Sequence, residues 1–466
     1  MASHTRRLLL FDDNIRGPGG HYLELATLLA QGAVQQGYKP TLVTNRDYTE
    51  TTLPEVGCPV VPVFRQRRLV RWSLGVDGAS ETLRDPSGRP ESRSSFAQIK
   101  QRFRDRLARP DRHPKRMLRE YAEDIVTVWR QLKVSSEDVL LFNTSDDFSL
   151  LGLAQAIELA GEIDPLNIHA LFHFAIHDHK SANGLPIFGT QVNQTVDRLR
   201  PHRIHLHATT DPLMRQMRLS GVESPVRSIP YPTRTREVSH ADSASGRIKI
   251  VLAGLPRAEK GRSAMVDLLD KFSDPLLRET KFCMSMQMPV KRWKRMVPSQ
   301  LHSPYEAALE RPLNLNRQSG NTEPLEILTS NLDTATYHRW LDTADIGLFL
   351  YEPNRYVARC SGVLLEMLNR GIPVLVPDQC WLAEFVRQMS GDQPCGLIYT
   401  DRSQVPDRIR QMARDHARFR NSAIAVAKLV AKQHSGQSSI QAMEIECSDQ
   451  LRPQQPRPQQ PRTAAA

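Results

Sequence analysis

The turn Gly254-Leu255-Pro256-Arg257-Ala258-Glu259-Lys260-Gly261 carries two cations three residues apart. A guanidinium can fork onto phosphate oxygens and an ammonium adds a point charge, so Arg257 and Lys260 suit a diphosphate whose charge grows as it departs. A second block, Tyr356-Val357-Ala358-Arg359-Cys360-Ser361-Gly362-Val363-Leu364-Leu365-Glu366, runs on to Gly371-Ile372-Pro373. Ser361 is a natural helix cap there, and Gly362 leaves the first turn open to an anion. Glu366 falls one turn further along the same face, where its carboxylate can accept both hydroxyls of a ribose. Its neighbours Leu364, Leu365, Met367 and Leu368 set it apart from a glutamate on a solvated helix. The third feature is Gly17-Pro18-Gly19-Gly20-His21, where Gly19 and Gly20 free backbone N–H groups at a helix start. It is no dinucleotide fingerprint, because Tyr22 stands where G-x-G-x-x-G needs glycine. A plain tight turn and a ligand loop are both open readings of it. So are two readings of His173 in Leu171-Phe172-His173-Phe174: a satisfied core histidine, or a group beside a reacting sugar.

Such residues need a scaffold that brings loop ends together. The opening reads as strand Arg7 to Phe11, glycine loop, helix Tyr22 to Gln36 and strand Thr41 to Thr44, with Tyr22, Ala26, Leu29 and Ala33 on one helical stripe. Apolar strands follow at Val139 to Phe142, His169 to Phe174 and Ile204 to Ala208, with a helix over Leu150 to Ala160. Alternation of this kind predicts a parallel sheet covered on both faces. Thr233 to Gly246 is polar and small, as in a linker. The rhythm then restarts with strands Ile248 to Ala253, Ile346 to Leu350 and Pro373 to Pro377 and helices Gly261 to Phe272 and Gly362 to Leu368. The expected fold is α/β, with two Rossmann-like domains facing each other across a cleft. Their limits are 1–235, with a basic insertion at about 65–119, and 248–435, joined by a linker over 236–247. The insertion includes an Arg-rich helical stretch from Phe96 to Leu107. Residues 436–466, ending in Pro/Gln/Arg repetition, are expected to be a disordered tail.

Composition narrows the function classes. The chain has 466 residues, too long for one core, and its 62 Lys+Arg against 51 Asp+Glu leave a charge of +11. No apolar run approaches the about 20 residues of a spanning helix, and no secretory signal is evident, so a cytoplasmic protein is expected. Aromatic content of 6% with no basic run interleaved by aromatics argues against nucleic acid as a partner. The six cysteines are scattered without a C-x-x-C pair, which excludes a disulfide framework or zinc ribbon. His173, His177 and His179 lack a completing carboxylate pattern, and the chain has no Asp-x-Asp, so no metal site is expected. The basic insertion favours an anionic partner, including the inner face of a membrane with peripheral contact.

Taken together, the Gly-Gly loop, the Arg257-x-Glu259-Lys260-Gly261 turn, the Tyr337 to Tyr351 stretch with Ala344-Asp345, and the Ser361-Gly362 to Glu366 to Gly371-x-Pro373 block resemble the retaining glycosyltransferases of the GT-B fold, in particular glycosyltransferase family 4 (glycosyl transferases group 1). The resemblance covers most of residues 5 to 435. It implies a sugar-nucleotide donor in the C-terminal half, a glycan, lipid-linked or small-molecule acceptor in the N-terminal half, no cofactor and no essential metal. It further implies that Arg257 and Lys260 hold the donor diphosphate, that Gly362 and Val363 meet it through backbone amides, and that Glu366 binds the ribose. His173 takes the position of a histidine beside the donor sugar. One departure is plain: the glutamate that the family commonly carries eight positions before the ribose-binding one is Ala358 here, with Tyr356 and Arg359 lining that space instead. The alternative is therefore a noncatalytic protein of the same fold that binds sugar nucleotides or serves as a scaffold.

Overall fold

The computed structural model describes residues 6–66, 114–176, 185–236, 238, 247–272, 281–299, 302–309, 315, 324–330 and 332–450. Most of the basic insertion with its Arg-rich stretch, His177, His179, most of the linker and residues 451–466 lie outside the described residues.

Two sheets form. The first contains β1 (Arg7–Asp12), β2 (Lys39–Asn45), β3 (Thr52–Leu53), β4 (Cys58–Phe64), β5 (Val139–Ser145), β6 (Asn167–Phe172), β7 (Arg203–Ala208) and β8 (Val226–Ser228). Its order is β3-β4-β2-β1-β5-β6-β7-β8, and every pairing is parallel except that of the short edge strand β3 with β4. The second contains β9 (Ile248–Leu252), β10 (Phe282–Gln287), β11 (Leu325–Leu328), β12 (Ile346–Leu348), β13 (Val374–Pro377) and β14 (Gly396–Tyr399), all parallel, in the order β11-β10-β9-β12-β13-β14. Both are covered by helices on their two faces, so β5, β6 and β10 are buried along their whole length.

In each sheet the chain winds outward one way and then reverses, between β1 and β5 in the first and between β9 and β12 in the second. Connections leave a crevice at such a reversal, outside the carboxyl ends of the strands, and ligands of open α/β sheets sit there. The glycine loop follows β1 and the Arg257/Lys260 turn follows β9. The chain's candidate residues thus occupy both reversal points.

The C-terminal boundary needs correction. Residues 436–450 do not form a tail: a helix spans Gly436–Gln450 and buries Ile440 and Met443 against the first helix, His21–Gln35. The two helices cross with their backbones in contact, since a Cβ on Gly32 would stand 2.2 Å from the Gly436 carbonyl carbon and one on Gly436 1.9 Å from the Leu28 oxygen. A contact made by two glycines and two apolar residues leaves little helical periodicity to read. The chain therefore returns to its N-terminal half, so the halves are joined twice. At this second crossing the Thr233 N–H donates to the His434 carbonyl (2.7 Å), and the Ser439 hydroxyl donates to the Pro230 carbonyl (2.7 Å).

Candidate functional site

The turn after β9 owes its shape to two glycines in the left-handed region, Gly254 (φ +92°) and Gly261 (φ +74°). A Cβ on Gly261 would stand 1.7 Å from the Leu350 carbonyl oxygen, so the turn lies flush on the end of β12. The Glu352 N–H donates to the Glu259 carbonyl (3.1 Å) and ties it there. A Cβ on Gly254 would stand 2.4 Å from Lys260 Nζ, so the missing side chain makes room for the ammonium. Lys260 is half-buried, and burial followed by the fields of Arg257 and Arg359 holds its pKa below the ordinary value, partly offset by Tyr356 and Glu259. Arg257 is half-exposed, with Glu259 at 3.8 Å.

The Ser361-Gly362 block forms as its sequence predicts. The helix spans Gly362–Asn369, and the Leu364 N–H donates to Ser361 Oγ (3.3 Å). Gly362 and Val363 are half-buried in its first turn. Glu366 accepts from the Tyr337 hydroxyl (2.8 Å), and burial raises its pKa against the pull of Arg370 and His338.

Aromatic and cationic groups link these parts into one frame. Lys260 Nζ lies 5.4 Å from the Tyr351 ring centroid, whose ring is 4.4 Å from that of Tyr356. The Arg359 guanidinium stands over Tyr356 (5.2 Å) and, across the seam, over Phe174 of the first half (4.9 Å). Beside Phe174 is His173, edge-on to Tyr231 at 5.8 Å. Tyr231 in turn reaches the helix start, 3.4 Å from where a Gly362 Cβ would be. His173 is buried, and its Nε2–H donates to the Asn143 carbonyl (2.5 Å) at the end of β5. Burial lowers its pKa to about 4, so the ring is neutral with Nδ1 as its acceptor.

Gly19 (φ +95°) and Gly20 (φ +90°) are exposed and form the glycine loop. A Cβ at either would meet nothing within 4 Å, so glycine is required there by backbone conformation, not by crowding. His21 starts the following helix with its side chain open to solvent; desolvation, followed by the charges of Arg359, Lys260, Arg257 and His173, holds its pKa below the ordinary value. Contacts thus link His173 of the first half, through Phe174 and Tyr231, with Lys260, Tyr356, Arg359 and the Gly362 end of the helix in the second. Gly19 and Gly20 stay exposed on their loop, and Arg257 and Glu366 are held by other partners, Glu259 and Tyr337.

Sequence reasoning missed the residues that bridge the seam. Phe174 and Tyr231 are two; the latter sits between two prolines, the only local sign of a fixed segment. Ala358, singled out in the sequence only as a departure from the pattern, bridges the seam as well: it is fully buried in the first half's apolar cluster with Phe172, Leu213 and Met217, and its carbonyl accepts from the Thr210 hydroxyl (2.8 Å). Further along, Glu24 of the first half pairs with Arg234 (2.7 Å) and faces His338 Nε2 (3.6 Å). Arg370 donates to His338 Nδ1 (2.8 Å) and to the Glu366 carbonyl (2.8 Å). A guanidinium only donates, so His338 carries its proton on Nε2, toward Glu24.

A cavity of about 890 Å³ lies elsewhere on the seam, lined by Thr210, Trp381, Phe385 and His434 among others, and does not reach the cations. The recess beside Lys260, bounded by Gly254, Gln287 and Tyr351, holds about 20 Å³. Among the described residues no group of three or more His, Cys, Asp or Glu is arranged to hold a metal ion, and no helix is long and apolar enough to cross a membrane.

This architecture is the GT-B fold of glycosyltransferases. The chain is similar over 95% of its length to sucrose-phosphate synthase from Thermosynechococcus elongatus (98% of that chain, TM-score 0.57, 10% identity). It is equally similar to Anabaena HepE in complex with UDP and glucose (95% and 99% covered, TM-score 0.57, 13% identity). A trehalose-phosphate synthase (UDP-forming) from Burkholderia vietnamiensis matches over 96% of this chain and 100% of its own (TM-score 0.55, 12% identity). No family model and no curated protein matches the sequence.

Proposed function

We propose that this chain is a glycosyltransferase that moves a sugar from a nucleotide-sugar donor to a glycan, lipid-linked or small-molecule acceptor, retaining the anomeric configuration and needing no metal. The observation that carries this reading is the run of contacts joining Lys260, through Tyr351, Tyr356 and Arg359, to Phe174 and His173 of the opposite half, with Tyr231 against the start of the Gly362–Asn369 helix. The fold adds support, since similar chains include HepE with UDP and glucose bound.

In this mechanism Glu366 accepts the ribose hydroxyls while Arg257 and Lys260 take the diphosphate. Their charge stabilises the departing group as the sugar–oxygen bond breaks and the sugar becomes oxocarbenium-like, the task a metal would otherwise perform. Neutral His173 adds no positive charge beside that cation and can accept a sugar hydroxyl through Nδ1. The leaving diphosphate takes the acceptor's proton on the face from which it departs, which retains configuration. Closure of the two halves on the bound donor excludes water from the reacting centre. Association with an anionic membrane face belongs to this proposal through the basic insertion.

The test is release of nucleoside diphosphate from UDP-, GDP- and ADP-sugars with and without saccharide acceptors. Acceptor-dependent release that falls at least 100-fold in Arg257→Ala supports the reading. Tight nucleotide binding without turnover for any acceptor would establish the noncatalytic alternative instead.

A further inference from the structure

The transferase reading uses two cations for a diphosphate, yet the site contains a third. Arg359 is half-buried, and among the described residues no carboxylate pairs with it. Its guanidinium is held between Tyr356 of the second half (5.2 Å) and Phe174 of the first (4.9 Å). Two aromatic faces fix the plane of a guanidinium while leaving its N–H edge to hydrogen-bond. Partial burial of a charge without a counter-ion costs stability that a bound anion would restore.

Its ring contacts differ from those of the diphosphate cation Lys260. Lys260 lies over Tyr351, whereas Arg359 lies over Tyr356 and Phe174, the two tyrosine rings being tilted against each other at 4.4 Å. Ala358, buried in the first half and anchored by Thr210, draws the backbone at Arg359 toward that half. Arg359 consequently stands by Phe174, next in sequence to His173, where the transferred sugar and the acceptor would meet.

Resting on the transferase reading, we infer that Arg359 is a specificity-determining residue that binds a carboxylate or phosphate substituent on one of the two reacting sugars. The fork of an arginine matches both groups bidentately, and an uncharged hydroxyl in the same place would leave the cation unpaired.

Two sources of the anion are distinguishable. With wild type, UDP-glucuronate is compared with UDP-glucose as donor, and glucose 6-phosphate with glucose as acceptor, by turnover and by calorimetric affinity. A preference of about 10- to 100-fold for the charged member of one pair is expected, the pair naming the source. In Arg359→Gln that preference should vanish while affinity for UDP alone falls less than threefold; Arg359→Lys, which keeps the charge but not the fork, should retain part of it. Arg257→Ala should lose UDP affinity without changing the preference. Melting temperatures monitor folding of each variant. No preference for either charged sugar in wild type, or a loss of UDP affinity in Arg359→Gln as large as in Arg257→Ala, overturns the inference. Failure of wild type to bind any nucleoside diphosphate refutes the transferase reading itself, and the inference with it.

Discussion

Glu366→Gln removes one charge and little else. The amide occupies the same volume and can still accept from the Tyr337 hydroxyl, which lies 2.8 Å from the carboxylate. What changes is the answer to a ribose diol. The carboxylate accepts from both hydroxyls with full charge, whereas the amide offers one neutral oxygen. A hydrogen bond to a charged group contributes about 1.5–3 kcal/mol, so the loss corresponds to roughly 10- to 150-fold in nucleotide affinity. Calorimetric titration with UDP, GDP and ADP, and separately with inorganic pyrophosphate, reads the effect. Pyrophosphate has no ribose, so Glu366→Gln should weaken the preferred nucleotide and leave pyrophosphate unchanged, whereas Arg257→Ala should weaken both. A pH series adds a second readout. Burial raises the Glu366 pKa, so protonation on acidification should weaken nucleotide binding in wild type, and the substitution should flatten that dependence. Unchanged nucleotide affinity in Glu366→Gln, or equal losses for nucleotide and pyrophosphate, would refute the ribose assignment.

Three further outcomes follow from the packing. Lys249 is fully buried with its ammonium 2.7 Å from Glu326, so Lys249→Met should strand the carboxylate and cost about 3–5 kcal/mol in urea unfolding, while Lys249→Met with Glu326→Leu should regain most of it. His169, His205 and His207 stack between β6 and β7 and are held neutral by burial, His205 at about 4 and His207 at about 3. The unfolded chain binds protons first as pH falls through about 6.5, so stability should drop by about 1.4 kcal/mol per ring between pH 7.5 and 5.5, and less steeply in His207→Gln; a flat urea midpoint over that interval would contradict this. His338→Phe should break the route from Glu24 to Arg370, costing about 1–3 kcal/mol in unfolding and raising the donor KM as the Glu366 helix loosens; an unaltered KM would separate the route from the site.

What the sequence made legible was local. A strand followed by a glycine turn with two cations, or a serine cap followed one turn later by a glutamate, declares its geometry within a dozen residues. The two-sheet architecture was legible for the same reason, through strands such as Val139–Ser145, whose first four residues are all apolar. β10 escaped because Ser285 and Gln287 interrupt the apolar run, and the Ser285 hydroxyl is satisfied only by distant partners, Glu326 and Trp340. Phe174 with Arg359, His173 with Tyr231, and Glu24 with His338 are pairings between chain segments that only the folded halves bring together, and no spacing rule encodes them.

Ala358 shows how such a contact changes the meaning of a motif. Read along the chain, alanine in place of the glutamate common in the family it resembles would be a missing contact to the donor sugar. In the folded protein that position lies inside the first half's apolar core, where an unpaired carboxylate would be costly to bury. The segment has thus been drawn across the seam, and the next residue, Arg359, supplies the polar group at the mouth of the cleft. A carboxylate facing a sugar accepts hydroxyls; a guanidinium in its stead donates, and donates best to an anion. On the proposed reading the departure from the pattern is therefore a reversal of hydrogen-bonding polarity where donor and acceptor would meet, and the substrates' charge is the property it should select.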